Sequence, residues 1–179
     1  MSPGPEVAAC ISKTTEMDDS VSHQPDGPEH LVWGALTKHE VGKLGTDIAQ
    51  TRFIAEGFEI SLPSGSSTPT TFTVRRASGP LYEVRVRTCR LPRGNYTFFT
   101  KRSLDLADDR LVVLVLLEDG RPARAFLIPT PAWRRPSSLL VDRDYEGLKS
   151  EPEWGIQLSG RSIPLLDEFD FAAQARSLP

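Results

Sequence analysis

The run LVVLVLL, Leu111 to Leu117, is continuously apolar and rich in valine. Successive side chains of a strand project to opposite faces of its sheet, so a run with no polar member reads as a strand buried on both faces. A turn at Glu118-Asp119-Gly120-Arg121 leads into a second strand, Ala123 to Ile128, whose exit is set by Pro129 and Pro131.

The segments before this run are patterned differently. From Thr37 to Glu56, the residues Val41, Leu44, Ile48, Ala49, Phe53 and Ile54 recur at helical spacing, and Gly57 ends the pattern. Thr37 followed by Glu40 has the form of a capping box at the start. The period then becomes two. Strands are expected at Phe58 to Leu62, Thr70 to Val74, Leu81 to Cys89 and Tyr96 to Thr100, the last three as a β-meander, with a loop of small residues from Ser64 to Pro69. After the buried pair come a short strand or loop in LLVDRDYEG, the segment EPEWGIQLS, and a closing amphipathic helix near Ile163 to Arg176. The expected fold is therefore α+β: a mixed or antiparallel sheet of about six strands, covered by an N-terminal and a C-terminal helix.

Composition refines this layout. Residues 1 to 30 are rich in Pro, Ser, Asp and Glu and lack apolar periodicity, which is the pattern of a disordered acidic tail, and residues 31 to 179 form one domain. No run of 18 apolar residues and no basic-then-apolar leader is present, so the expectation is a cytoplasmic protein without a membrane contact. Cys10 and Cys89 make no disulfide framework, and His23, His30 and His39 are not at metal-ligand spacing.

Charge is unevenly spread. The chain has a formal net charge of -3, yet residues 71 to 103 hold eight basic side chains and one acidic one. Within this block, LYEVRVRT places Glu83, Arg85 and Arg87 on one face of a strand. Guanidinium groups fork onto phosphates, so Arg75, Arg76, Arg85, Arg87 and Arg90 are candidates for holding DNA or RNA. The structural alternative is that Glu83 pairs with Arg85 or a cross-strand neighbour. Asp142, Asp144 and Glu146 alternate like metal ligands but read as a solvated strand edge. Trp33, Trp133 and Trp154 read as core or rim anchors, with base stacking as the alternative for Trp133.

The helix containing KLGTDIA, the following GFEISLP, the strand TTFTV and then YEVRVRT together resemble the start of the PD-(D/E)XK nuclease-like superfamily, in particular its small bacterial members. The similarity runs from about Lys38 to Trp133, with FLIPTPAW as a shared exit, and PEWGIQLS and IPLLDEF resemble the end of the same group. It implies a restriction-endonuclease-like core and a metal-dependent site whose carboxylates hold Mg²⁺ against a phosphate. Laid over this chain, the catalytic positions fall on Thr46, Thr71, Arg85 and Arg87, none of which is the residue such a site uses. Hydroxyls replace carboxylates, and arginine cannot act as a base. The resemblance thus implies a catalytically inactive relative, without a cofactor, that binds nucleic acid or a protein partner. The alternative is a nuclease with a shifted, Mg²⁺-dependent site built from Glu83 and Asp47.

Overall fold

Helical periodicity between Val41 and Phe53 becomes, in the computed structural model, an 18-residue helix α1 (Lys38–Ala55). The structure describes residue 1 and residues 32–62, 70–93, 95–147 and 149–179. The acidic N-terminal segment, the Ser64 to Pro69 loop, Cys10, His23 and His30 lie outside these residues. The capping box is complete: Glu40 N–H donates to Thr37 Oγ1 at 3.3 Å, and Thr37 N–H donates to Glu40 Oε2 at 2.7 Å. At the far end Gly57 has φ +82°, a left-handed conformation that glycine adopts without a Cβ clash.

Among the described residues eight strands follow, against about six expected: β1 (Glu59–Ser61), β2 (Thr71–Arg75), β3 (Tyr82–Leu91), β4 (Tyr96–Thr100), β5 (Arg110–Glu118), β6 (Arg124–Pro129), β7 (Leu140–Arg143) and β8 (Glu153–Gln157). They form two sheets, a five-stranded one ordered β1-β2-β3-β5-β6 and a three-stranded one ordered β4-β8-β7. The β3–β5 pair is parallel and every other pair is antiparallel. The expected meander is corrected at this point: β4 leaves β3 and joins the second sheet, while β5 takes the place beside β3.

Burial explains that choice. On the α1 side of the larger sheet, Phe72, Val84, Val86, Leu111, Val113 and Val115 pack with Val41, Ala49 and Phe53 of the helix. On the other side, Val112, Leu114 and Leu116 pack with Phe99, Ile156 and Trp133 from the second sheet and its neighbours. β5 therefore carries an apolar side chain into each of two cores, as its unbroken sequence requires. Phe53 is the hub of the first core, meeting the rings of Phe58, Phe72 and Phe171 edge to face at 4.9 to 6.0 Å. Loss of such a buried ring costs about 3–5 kcal/mol.

The closing helix is also corrected. Ile163–Phe169 is a 3₁₀ helix, and only Phe171–Ser177 is α-helical (α2). Asp170 separates them with extended backbone, accepts the N–H of Ala173 at 2.9 Å as the cap of α2, and forms a β-bridge to Phe126. The side chain and backbone of Asp170 thus satisfy groups that a continuous helix would have to abandon. Among the described residues no helix is long and apolar enough to cross a membrane.

Candidate functional site

Strict alternation along β3 separates its residues into two sets. Tyr82, Val84 and Val86 face α1, and Thr88 meets that helix at Gly45. Glu83, Arg85, Arg87 and Cys89 face the opposite way, beside Arg110, Val112, Leu114 and Leu116 of β5. Thr71 pairs with Arg85 in register and shares that second face. Thr46 does not: it is buried on α1, against the first core, with its hydroxyl donating to Gly42 O at 3.0 Å. The sheet therefore stands between Thr46 and the group formed by Thr71, Glu83, Arg85 and Arg87.

The same partition separates the shifted carboxylate pair. Asp47 lies on the exposed side of α1 and accepts Lys43 Nζ at 2.7 Å, whereas Glu83 points from the far face of the sheet. Glu83 is already engaged. Its carboxylate holds Arg110 Nη1 at 2.5 Å and Arg85 at 3.4 Å, all three half-buried. The structural alternative was pairing of Glu83 with Arg85 or with a cross-strand neighbour, and both contacts are present.

The five arginines singled out by charge have five different surroundings. Arg75 pairs with Glu59 at 3.1 Å on the sheet edge. Arg76 turns inward, stacks over the Phe58 ring at 4.4 Å, and donates to Glu56 O, Ala175 O and Leu178 O, which closes the C-terminal ends of both α-helices. Arg90 donates from Nη1 to Trp33 O, Gly34 O and Leu36 O, at 3.3, 3.1 and 2.6 Å, and so clamps the segment leading into α1. Arg85 is held by Glu83. Arg87 has no carboxylate partner among the described residues; its guanidinium lies 4.5 Å from the centre of the Phe99 ring. Partial desolvation there, the nearby Cys89 opposing it and Arg85 adding to it, draws the Arg87 pKa below the usual arginine value. It remains a cation at any ordinary pH.

Arg87 also borders a groove that the sequence did not single out. β2 ends beside Val86, whose N–H donates to Thr70 O at 2.8 Å, and β3 continues past it. Between this stretch of β3 and the first turns of α1 is an open cavity of about 620 Å³, lined by Lys38, His39, Val41, Gly42, Lys43, Thr70, Val86, Arg87 and Thr88. Lys38, His39 and Lys43 line it from α1, Arg87 lines it at the edge of β3 while its side chain lies over Phe99 on the opposite face of the sheet, and no carboxylate of the described residues lines it. Glu40, the nearest acid on the helix, is turned back into the capping box, where the Thr37 N–H and hydroxyl lower its pKa. Lys38 and His39 were unremarkable in sequence because only the docking angle of α1 brings them to the edge of β3.

The remaining expectations resolve into structure. Trp133 is fully buried and its indole N–H donates to Gly155 O, so base stacking on it is excluded. Asp142 and Asp144 both hold Lys101 Nζ at 2.5 Å, above the Trp154 ring. Among the described residues no three His, Cys, Asp or Glu side chains gather in a way that suits a metal ion. Comparison with protein-family models, curated proteins and solved structures returned no match to this chain.

Proposed function

We propose that the domain binds nucleic-acid phosphates in the groove between α1 and the edge of β3, as a nuclease-like relative that holds the backbone without cutting it. One observation carries the reading: Lys38, His39 and Lys43 of α1 line a single open groove against the Arg87 edge of β3, and among the described residues no acidic side chain lines it. A cationic concavity without internal counter-charges concentrates polyanions, and lysine and arginine donors suit phosphate oxygens. The threonines Thr70 and Thr88 add hydroxyl donors of the kind that fix register on a sugar-phosphate chain.

The Mg²⁺ implied by the resemblance is not matched by this donor set. A hard dication takes carboxylate oxygens, and the groove offers hydroxyls and fixed positive charge instead. Glu83 and Asp47, on opposite sides of the sheet, do not supply the missing pair. Binding without hydrolysis is the chemistry these residues support.

Fluorescence anisotropy with a labelled DNA duplex at two salt concentrations tests the reading. Affinity should fall steeply as salt rises, because each phosphate contact releases condensed counterions. The double variant Lys38→Gln/Arg87→Gln should bind more weakly and show a salt slope shallower by about 2. Binding that ignores both salt and these substitutions would overturn the assignment.

A further inference from the structure

The groove has a second feature besides its charge. β2 pairs with β3 as far as Arg85, and Thr70 O accepts the Val86 N–H just beyond, whereas β3 continues to Leu91. β5 covers the other edge of β3 up to that end. Among the described residues no strand lies against the β2 side of β3 past Val86. Backbone groups alternate in direction along a strand, so the N–H and C=O of Thr88 point the same way as those of Val86, to the open side that borders the groove. An unpaired strand edge of this kind takes up an extended chain.

One wall beside this edge is basic. Lys38, His39 and Lys43 are exposed on the first two turns of α1, and no carboxylate of the described residues lines the groove. Lys43 is shared with Asp47, while Lys38 has no carboxylate partner among the described residues. The matching chain is therefore an acidic one.

This protein supplies such a chain itself. Residues 1 to 30 hold six acidic side chains and one basic one. Glu16, Asp18 and Asp19 fall within Glu6 to Gln24, the longest part of that segment without proline or glycine, where every residue keeps an N–H for a strand edge. The described chain resumes at Val32, and Arg90 holds the carbonyls of Trp33, Gly34 and Leu36 against the end of β3. Thr88 is two residues back along β3, about 7 Å at the rise of a strand. The thirteen residues from Asp19 to Val32 span up to roughly 40 Å when extended. The segment thus begins beside the open edge, is long enough to reach it and carries the opposite charge.

We infer that residues 1 to 30 occupy the groove in cis, with Glu16, Asp18 and Asp19 against Lys38 and Lys43 along the open edge of β3. This rests on the reading of the groove as an anion site. Where the anion is nucleic acid, the segment competes with it and lowers its apparent affinity.

Carbodiimide coupling joins a carboxylate to an amine only when the two touch, so it tests the contact without any nucleic acid. Applied to the 179-residue chain and read by peptide mass spectrometry, it should link Glu16, Asp18 or Asp19 to Lys38 or Lys43. In an equal mixture of ¹⁵N-labelled and unlabelled protein, both linked peptides should carry the same isotope. Links of mixed isotope would put a second copy in the groove and overturn the cis arrangement. The variant Glu16→Gln/Asp18→Asn/Asp19→Asn should bind the labelled duplex about tenfold more tightly, the factor that three exposed charge pairs supply. Asp105→Asn/Asp108→Asn/Asp167→Asn makes the same change in net charge at other exposed positions and should leave affinity unchanged. An equal gain in that control overturns the competition.

Absence of the links overturns the inference, and the groove reading is then decided separately, by whether Lys38→Gln/Arg87→Gln weakens duplex binding. Links within one chain, in a protein that binds no duplex either as wild type or as the segment variant, keep the occupant and refute the nucleic-acid reading.

Discussion

Gly45 of α1 sits directly against Thr88 of β3, so closely that a Cβ on residue 45 would overlap the threonine hydroxyl. This contact sets how near the helix comes to the strand and hence the width of the groove that Lys38, His39 and Lys43 line with the edge of β3. Gly45→Ala should destabilise the fold by about 1–3 kcal/mol, since overpacking forces either element to shift. It should also weaken polyanion binding. Adding Thr88→Ala removes the hydroxyl and methyl and should restore part of the stability in chemical denaturation. A Gly45→Ala protein as stable as wild type would show that the close approach is not constraining.

Arg90 and Arg87 are three residues apart in one strand and should respond in opposite ways. Arg90→Ala leaves three backbone carbonyls without a charged donor. It should cost about 1.5–3 kcal/mol in urea unfolding, with little effect on phosphate binding. Arg87→Gln should do the reverse. A large loss of nucleic-acid affinity in Arg90→Ala at temperatures where it remains folded would contradict this separation.

The fold was legible where local pattern and burial coincide. Helix α1, its capping box and the two-sided burial of β5 follow from periodicity that any environment would enforce. The sharing of Glu83 between Arg85 and Arg110 was half visible, because alternation fixes the face although not which strand lies alongside. What escaped was set by docking. Arg76 and Arg90 resemble Arg87 in sequence, but their partners are carbonyls tens of residues away, and a carbonyl leaves no sequence signal. The broken C-terminal helix did carry a clue: Asp170, three residues before Ala173, stands at cap spacing within an apolar set that otherwise fits one long helix.

The capping box of α1 should make stability respond to acid. The Thr37 N–H and hydroxyl hold the Glu40 carboxyl below its usual range, so the folded state binds this proton less readily than the unfolded chain. The contribution is complete above the ordinary carboxylate pKa and is lost as pH falls through the lowered folded value. Glu40→Gln keeps the shape without the charge. The wild type should therefore be more stable than Glu40→Gln at neutral pH, and the two should converge in acid. Parallel stability curves across the acid range would show that the charge contributes nothing at the cap.

At the other end of the pH scale, Tyr96 should retain its proton well beyond the ordinary phenol range. Burial raises its pKa, and the hydrogen bond to Glu153 together with the charge of that carboxylate raises it further. Burial also raises Tyr82, in the first core. Because the folded pKa lies above the unfolded one, the stabilisation is complete below about pH 10 and disappears as pH rises through the folded value. Alkaline titration followed by phenolate absorbance should show the folded protein lagging behind the denatured chain, with ionisation of these rings accompanying unfolding. In Tyr96→Phe one lagging ring should be missing. Glu153, 5% exposed, would then keep only Tyr145 and Arg143 as partners, at a cost of about 1–3 kcal/mol near neutral pH. Ionisation of all the phenols near pH 10 in the still-folded protein would mean that Glu153 does not hold Tyr96 in place.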